Sequence, residues 1–236
     1  MTALLEVSQL QAGYGETRVL FDVNLTINEG EVVTLMGRNG MGKTTTIKTV
    51  MGLVKPSSGH VRVEGVELAS APAYSVAQAG LGLVPEGRQI FPTLSVEENL
   101  VATAANRSAG ATRWTLASVY EFFPRLRERK ANLGSQLSGG EQQMLAIGRA
   151  LMTNPKLLIL DEATEGLAPI IRGEIWSCLK SLKETGQSIL IVDKTVAALE
   201  RLADRHVILE KGKTVWAGNS EELIGTPDLK SRYLGA

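Results

Sequence analysis

The sequence predicts an α/β fold in which a helical segment interrupts a mixed sheet, and three observations support this. Short β-branched runs alternate with helical patterns along most of the chain. Three runs, VVTLM, LLIL and ILIV, are continuously apolar, which is typical of central parallel strands buried on both faces. Residues 95–152 carry helix signals but no convincing strand. We therefore expect one domain over residues 4–234, with a helical subdomain of about residues 90–152 inserted in the core.

The individual elements follow from the same patterns. Residues 21–27 alternate between apolar and polar, as expected for a half-exposed antiparallel strand, and residues 210–213 resemble a hairpin turn. Ser95 and Glu98 form a capping-box pattern, and residues 114–123 have apolar residues at helical spacing. The charge run at 125–130 is interpreted as a solvated helix face. Strands are predicted at 4–10, 19–27, 32–36, 60–63, 81–84, 157–160, 188–192, 207–210 and 214–217.

Composition excludes several classes of protein. The 236 residues include 25 Lys and Arg against 25 Asp and Glu, and zero net charge disfavours a nucleic-acid binder that relies on bulk attraction to phosphates. A single cysteine, Cys178, excludes an internal disulfide framework and fits a reducing compartment. The first residues do not resemble a signal peptide, and the uncharged run 68–85 is too broken to span a membrane. These features predict a cytoplasmic protein.

A phosphate-binding loop is predicted at residues 37–45, where the sequence matches G-x-x-x-x-G-K-[ST]. A buried strand precedes the loop and a helix follows it, which disfavours the alternative of a glycine-rich turn with an incidental lysine. Backbone N–H groups and the helix N-terminus would bind phosphate. Lys43 would contact the outer phosphates, and the Thr44 hydroxyl would ligate Mg²⁺. The predicted nucleotide contacts are Gly37, Arg38, Asn39, Gly40, Met41, Gly42, Lys43, Thr44 and Thr45.

Two further segments point to nucleotide hydrolysis. The apolar strand 157–160 runs into Asp161 and Glu162, where Asp161 can hold Mg²⁺ and Glu162 can act as a general base on the attacking water. Between this strand and the phosphate loop lies LSGGE, residues 137–141, which we call the signature segment. Its Ser138 and Glu141 form a capping box at a helix predicted to end near residues 154–155. This second phosphate-binding helix end can serve a nucleotide held by another copy.

These segments, in this order, resemble the ATP-binding subunits of ABC transporters. The resemblance covers almost the whole chain and includes Tyr14 and Gly166-Leu167. It implies a P-loop NTPase core with an antiparallel β subdomain and the inserted helical subdomain. It implies that Tyr14 stacks on adenine, that the 163–168 loop lies at a dimer interface, and that the signature segment contacts the γ-phosphate across it. The signature contacts are Ser138, Gly139, Gly140 and Glu141.

The resemblance also implies cofactors and partners. ATP and Mg²⁺ are expected, together with a second ATPase subunit or a second copy of this chain in a nucleotide-sandwich dimer. Two membrane permease subunits would hold the chain on the inner face of the cell membrane, and no nucleic-acid partner is expected. Segments such as VPEGR at 84–88 and ATEGLAP at 163–169 are similar to the shorter ATPase of branched-chain amino acid importers. Such importers work with a secreted solute-binding protein, and related urea and amide importers share these patterns.

Two positions depart from the common family pattern. Glu86 stands where most members have Gln, and Lys194 stands about where most have a switch His. A Glu86 carboxylate could approach Mg²⁺ or its water, and a Lys194 ammonium could contact the γ-phosphate in catalysis. The alternative for Lys194 is a pair with solvent or a nearby acid. Both histidines, His60 and His206, lie elsewhere and are expected to be structural.

The leading hypothesis is an ATPase that drives transport by dimer closure, with residues 86–95 transmitting the movement to membrane partners. The departures at Glu86 and Lys194 keep open an ATP-binding regulatory module with little hydrolysis of its own. Soluble ABC proteins that act on DNA or ribosomes usually carry two cassettes or a long coiled coil, and this sequence has neither. A GTPase is disfavoured because no Asn-Lys-x-Asp motif is present.

Overall fold

A computed structural model of the chain describes residues 3–106 and 113–234. The strands are β1 Leu5–Tyr14, β2 Thr17–Ile27, β3 Val32–Met36, β4 Pro56–Val63, β5 Val66–Glu67, β6 Leu81–Val84, β7 Leu157–Asp161, β8 Ser188–Val192, β9 Arg205–Glu210 and β10 Lys213–Asn219. The helices are α1 Lys43–Val50, α2 Ala73–Gln78, α3 Val96–Val101, α4 Leu116–Phe122, α5 Pro124–Glu128, α6 Gly139–Leu151, α7 Pro169–Glu184, α8 Val196–Leu202, α9 Ser220–Ile224 and α10 Pro227–Leu229. A 3₁₀ turn at Gly134–Gln136 and a π-helical segment at Lys230–Leu234 complete the described elements.

All ten strands form one mixed sheet in the order β5-β4-β1-β2-β10-β9-β3-β8-β7-β6. The stretch from β9 through β3, β8 and β7 to β6 is parallel. At the other end, β1 pairs antiparallel with both β2 and β4. This confirms the predicted combination of a parallel core and an antiparallel β subdomain.

The parallel part of the sheet is buried on both faces. Successive residues of β3 alternate between two hydrophobic cores: Val32 and Met36 belong to the core beneath the helical subdomain, and Val33 and Leu35 belong to the core shared with α1 and the antiparallel strands. All five residues of β3, β7 and β8 are buried. Continuous apolar runs were therefore a correct indicator of these strands.

The boundaries predicted from sequence need several corrections. β5 was not predicted, because its two residues are exposed and lack an apolar pattern. The predicted helix at 114–123 is shorter, since Trp114 and Thr115 precede α4 and Pro124 begins α5. The helix after the signature segment ends at Leu151 rather than near 154–155. Among the described residues, no helix is long and apolar enough to cross a membrane.

The segment that joins the sheet to the helical subdomain is held by a buried amide side chain. Asn99 of α3 accepts a hydrogen bond from the Phe91 N–H at 2.8 Å and donates to the carbonyl oxygens of Phe91, Leu94 and Ser95 at 2.9, 3.1 and 3.0 Å. Its side chain is fully buried. Of these four groups, the Phe91 N–H has the Asn99 side chain as its partner, whereas the three carbonyl oxygens also accept from backbone N–H groups.

We expect Asn99→Ala to lower the free energy of unfolding by about 1–3 kcal/mol, because it leaves the Phe91 N–H without its partner and an unpaired polar group costs on the order of that amount. Urea denaturation followed by circular dichroism measures the change. Asn132→Ala is the control: Asn132 is partly exposed and its side chain makes one weak contact, 3.4 Å to Gln136, so its effect should be below about 0.5 kcal/mol. Equal effects of the two substitutions would contradict the role given to Asn99.

Candidate active site

The candidate active site lies at the carboxyl ends of four neighbouring parallel strands, β3, β8, β7 and β6. The phosphate loop follows β3, Lys194 follows β8, Asp161 and Glu162 end β7, and Glu86 follows β6. The register pairs Asp161 with Val192 and Leu160 with Val84, so residues just beyond these positions emerge side by side. Polar groups that are distant in sequence therefore meet at one sheet edge, where ligands of open α/β sheets commonly bind.

The phosphate loop opens into a cavity of about 300 Å³ that Glu162 also lines. Gly42 begins α1 with a φ of 103°, a conformation that residues with a Cβ rarely adopt, and a Cβ there would lie 2.7 Å from the Leu20 side chain. The other lining residues are Val19, Asn39, Gly40, Gly42, Lys43, Thr44 and Thr45. The predicted phosphate loop and catalytic carboxylate thus share one cavity.

Lys43 is folded back against its own loop. Its Nζ donates to the carbonyl oxygens of Gly37 at 2.8 Å and Arg38 at 3.0 Å, and only 8% of the residue is exposed. Burial lowers the pKa of the Lys43 ammonium from its ordinary value, while the charges of Glu162 and Asp161 oppose that shift. The ammonium is thus held beside the cavity by neutral carbonyl groups, which a phosphate can replace.

Thr44 and Asp161 come together as the sequence predicted for Mg²⁺. The Thr44 hydroxyl donates to Asp161 Oδ1 at 3.4 Å, and Asp161 is 4% exposed. Burial raises the pKa of the Asp161 carboxyl, and the negative charge of Glu86 adds to the increase. A buried carboxylate with one weak hydroxyl donor and a second acid nearby fits a hard divalent cation, which takes oxygen ligands.

Glu162 occupies a strained turn immediately after β7. Its φ is 52°, and its N–H donates to the Val192 carbonyl of β8 at 2.8 Å, which fixes the turn against the neighbouring strand. The side chain is 14% exposed. A hydrogen bond with Glu165, together with burial, raises the pKa of the Glu162 carboxyl, while Lys194 opposes the shift. The carboxylate is therefore positioned at the cavity and has a raised proton affinity, as a general base requires.

Lys194 lies against the acids of the site. Its Nζ is 3.3 Å from Glu162 Oε2 and 2.5 Å from Glu165 Oε1. Its hydrogen bond with Glu165 is the main cause that raises the pKa of the Lys194 ammonium. Carboxylate oxygens of Glu86, Glu162 and Glu165 all lie within 4.8 Å of one another. The predicted proximity of Lys194 and Glu86 to the catalytic centre agrees with this geometry, and the nearby-acid alternative for Lys194 is also realised.

The signature segment lies apart from this cavity. Ser138 caps α6, accepting from the Glu141 N–H at 3.3 Å, while the Glu141 carboxylate accepts from the Ser138 N–H at 2.8 Å. A Cβ on Gly140 would lie 2.4 Å from Ile171 Cγ2, so glycine permits close packing of α6 on α7. In the described part of the chain, no signature residue lines the phosphate-loop cavity. Its contact with a nucleotide held by another subunit stays a prediction.

The remaining predicted residues have clear positions. Tyr14 ends β1 beside the hairpin to β2, and 49% of it is exposed. Its stacking on adenine stays a prediction. His206 is buried between Thr34 at 2.7 Å and Ser220 at 2.9 Å, and exposed His60 contacts Glu67 at 2.8 Å. These surroundings fit the structural roles expected for both histidines.

Sequence reasoning missed two residues of the site. Val19 of β2 lines the phosphate-loop cavity although it is distant from the loop in sequence. Glu165 contacts the predicted catalytic groups, and its only sequence signal was its position three residues after Glu162. Both contacts result from packing of separate segments rather than from a local motif.

The fold and site define a class of nucleotide-hydrolysing cassettes. The sequence profile of the ABC transporter family matches residues 20–165, and the chain belongs to this family as an ATP-hydrolysing transporter subunit. The high-affinity branched-chain amino acid transport ATP-binding protein BraG of Pseudomonas aeruginosa is 40% identical over 232 residues, covering 98% of this chain and 100% of that protein. The lipopolysaccharide export system ATP-binding protein LptB of Haemophilus influenzae is 34% identical over 235 residues, covering 99% and 98% respectively.

Solved structures agree with this assignment. A nucleotide-free ATP-binding cassette from an ABC transporter aligns with a TM-score of 0.83 and 26% identity, covering 95% of this chain and 94% of that one. The structure of an ATP-binding subunit of an ABC transporter aligns with a TM-score of 0.82 and 31% identity, covering 98% and 96%. The fold class predicted from sequence is confirmed.

We expect Lys43→Ala to lower ATP hydrolysis by about 10²-fold or more, because loss of one preorganised charged donor typically has that effect. ATP binding should also weaken, whereas the fold should persist. Colorimetric phosphate release and nucleotide binding by fluorescence measure the two effects. Lys180→Ala, on the exposed surface of α7, is the control and should retain wild-type turnover. Normal turnover in Lys43→Ala would contradict the phosphate-loop assignment.

Proposed function

We propose that this subunit energises an importer of branched-chain amino acids. The 40% identity with BraG over almost the full chain supports this, and the sequence patterns at 84–88 and 163–169 agree. Relatives named for lipopolysaccharide export are 34% identical, so the direction of transport is part of the proposal. A related urea or amide importer is the alternative. Uptake of labelled leucine, compared with labelled urea, by cells that carry wild-type or Lys43→Ala protein tests the substrate.

The carrying observation for the chemistry is that Lys43, Thr44 and Glu162 line one cavity and that Asp161 contacts Thr44 beside it. We infer that the phosphates of ATP bind in the loop. The Lys43 ammonium would then donate to the phosphates instead of to the carbonyl oxygens of Gly37 and Arg38. Thr44 and Asp161 would hold Mg²⁺, with Glu86 reaching it directly or through water. Mg²⁺, when bound, would offset phosphate charge. The residues of the chain would hold the nucleotide so that its γ-phosphate lies next to Glu162.

Glu162 is the proposed general base for the attacking water. Its backbone is fixed by the hydrogen bond to Val192, so the carboxylate needs little reorganisation to face the cavity. When ATP binds, the Lys194 side chain is proposed to leave Glu162 and to contact the γ-phosphate. An ammonium offers a full positive charge to the phosphate, where a neutral imidazole offers one donor.

The active unit is proposed to be a nucleotide-sandwich dimer with a second ABC ATPase or a second copy of this chain. The capped N-terminus of α6, with the signature residues, would face the γ-phosphate held by the other subunit. Residues 86–95 connect β6 to α3, and Arg88 donates to Gln142 of α6 at 3.3 Å. This link supports transmission of dimer closure to two permeases at the inner face of the membrane, with a secreted solute-binding protein as an indirect partner.

A second candidate is an ATP-binding regulatory module with little hydrolysis of its own. The observation that favours it is the ion pair between Lys194 and Glu162. In this pair the ammonium engages the carboxylate that would otherwise accept a proton from water. Turnover in the assembled transporter separates the two, because the first candidate requires release of Lys194 when nucleotide binds.

We expect Glu162→Gln to reduce hydrolysis by on the order of 10²–10⁴-fold, as loss of a positioned general base does. Glutamine keeps size and hydrogen bonding, so ATP should still bind and the closed dimer should accumulate. Light scattering with ATP measures the dimer, alone and with the second ATPase. Glu210→Gln at the end of β9, a partly exposed carboxylate outside the site, is the matched control. A Glu162→Gln subunit that hydrolyses ATP at the wild-type rate rules out this base.

We expect Lys194→Ala to slow hydrolysis in the assembled transporter, while Lys194→His largely preserves it because imidazole can also donate to the γ-phosphate. The measurement is kcat for ATP in both variants. Near-wild-type rates in both would identify Lys194 as a bystander whose contacts with Glu162 and Glu165 are structural.

A further inference from the structure

Glu165 contacts both Lys194 and Glu162, and the proposed mechanism gives it no role. Its Oε1 lies 2.5 Å from Lys194 Nζ, whereas Glu162 Oε2 lies 3.3 Å from the same nitrogen. The Lys194 and Glu165 side chains are 51% and 45% exposed, but Glu162 is 14% exposed. The closer partner of Lys194 is therefore the solvent-side acid rather than the proposed base.

The backbones that carry these side chains are fixed relative to each other. Asp193 Oδ2 accepts from the Thr164 hydroxyl at 2.5 Å and the Thr164 N–H at 3.2 Å, while Asp193 Oδ1 accepts from the Thr195 N–H at 2.9 Å. Asp193 and Thr164 are both buried. Each lies next in sequence to one member of the pair, so the loop after β7 is joined to the loop after β8 at this point.

The position of Lys194 between the two acids affects Glu162, the proposed proton acceptor. An ammonium whose nearest acid was Glu162 would form a full ion pair with it and engage the oxygen that must accept a proton from water. A second carboxylate at shorter distance competes for the ammonium. Glu165 can thus hold Lys194 at the edge of the site while leaving Glu162 able to act.

We propose that Glu165 is a positioning residue that draws Lys194 away from Glu162 and holds it where the γ-phosphate of ATP can receive it. The inference rests on the proposed roles of Glu162 and Lys194. It assigns to the 163–168 loop a function within its own subunit, in addition to the subunit contact implied by family resemblance.

The first test examines the pair without nucleotide. Full-length wild type and Glu165→Gln are treated briefly with N-hydroxysuccinimidyl acetate, and acetylation of each lysine is followed by peptide mass spectrometry. Lys194 should react more slowly in Glu165→Gln, because its ammonium then moves from the exposed Glu165 onto Glu162, which is only 14% exposed, while exposed Lys180 should be unchanged as an internal control. Equal Lys194 reactivity in both proteins would overturn the proposal.

The second test measures ATP turnover in the assembled transporter. Glu165→Gln should lower kcat by about tenfold or more with little change in KM, since misplacing one catalytic group by about 1 Å can cost up to 10²-fold. Glu165→Asp should recover part of the loss. In a Lys194→Met background, Glu165→Gln should have a several-fold smaller effect, because no ammonium remains to collapse onto Glu162 and only the direct contact of Glu165 with Glu162 is lost.

The outcomes distinguish this inference from the proposed function. An equal loss from Glu165→Gln in the wild-type and Lys194→Met backgrounds would show that Glu165 does not act through Lys194, and so would wild-type kcat in Glu165→Gln. Wild-type kcat in Glu162→Gln would instead remove the proposed base. The unfolding midpoint of Glu165→Gln should agree with that of wild type, since the Glu165 side chain is exposed.

Discussion

The parallel register of β3, β8, β7 and β6 is the constraint on which the site depends. Because these strands all run the same way, their carboxyl ends bring the phosphate loop, Lys194, Asp161 with Glu162, and Glu86 to one edge. No short segment could provide this set of groups. A slip of one residue between β7 and β8 would reverse the faces of one strand and separate Glu162 from Lys194.

The strand register also brings charged side chains of both signs together. Carboxylates of Asp161, Glu86, Glu162 and Glu165 gather near the ammoniums of Lys43 and Lys194. The carboxylates outnumber these two ammoniums, and burial raises the pKa of the Asp161 carboxyl, which fits the proposed binding of a divalent cation. Lys43, resting on neutral carbonyls, and Lys194, resting on acids, are prepared differently for the phosphate. In the proposed mechanism, Lys43 would gain a charged partner, whereas Lys194 would exchange one anion for another.

The sequence was sufficient to predict the parts of the structure that depend on local patterns. Continuous apolar runs identified β3 and β8 with their observed bounds, and the capping boxes at Ser95 and Ser138 are present. The motifs predicted that Thr44 and Asp161 hold one cation, and the structure places their side chains in contact, while the cation itself stays a prediction. These features are encoded within a few residues of one another or within an established motif.

Other features depend on contacts between distant segments, which a single sequence does not reveal. The apolar pattern at 114–123 predicted one helix over its whole length, but α4 occupies only Leu116–Phe122 and a separate helix, α5, begins at Pro124. Asn99 looks like an ordinary polar helix residue until the loop at 91–95 folds over it. The contact of Glu165 with Lys194 was not predictable from the sequence. It depends on the hydrogen bonds by which Asp193 joins the loop of Glu165 to the loop of Lys194.

The central claim is that one sheet edge assembles a hydrolytic centre in which Lys194 changes partners when ATP binds. The structure of the Glu162→Gln subunit with Mg²⁺ and ATP tests this most directly. The account predicts phosphates in the 37–45 loop, the cation at Thr44 and Asp161, and Lys194 Nζ within hydrogen-bond distance of the γ-phosphate. ATP bound in that loop with Lys194 turned away from the γ-phosphate, or the cation held elsewhere, would contradict it.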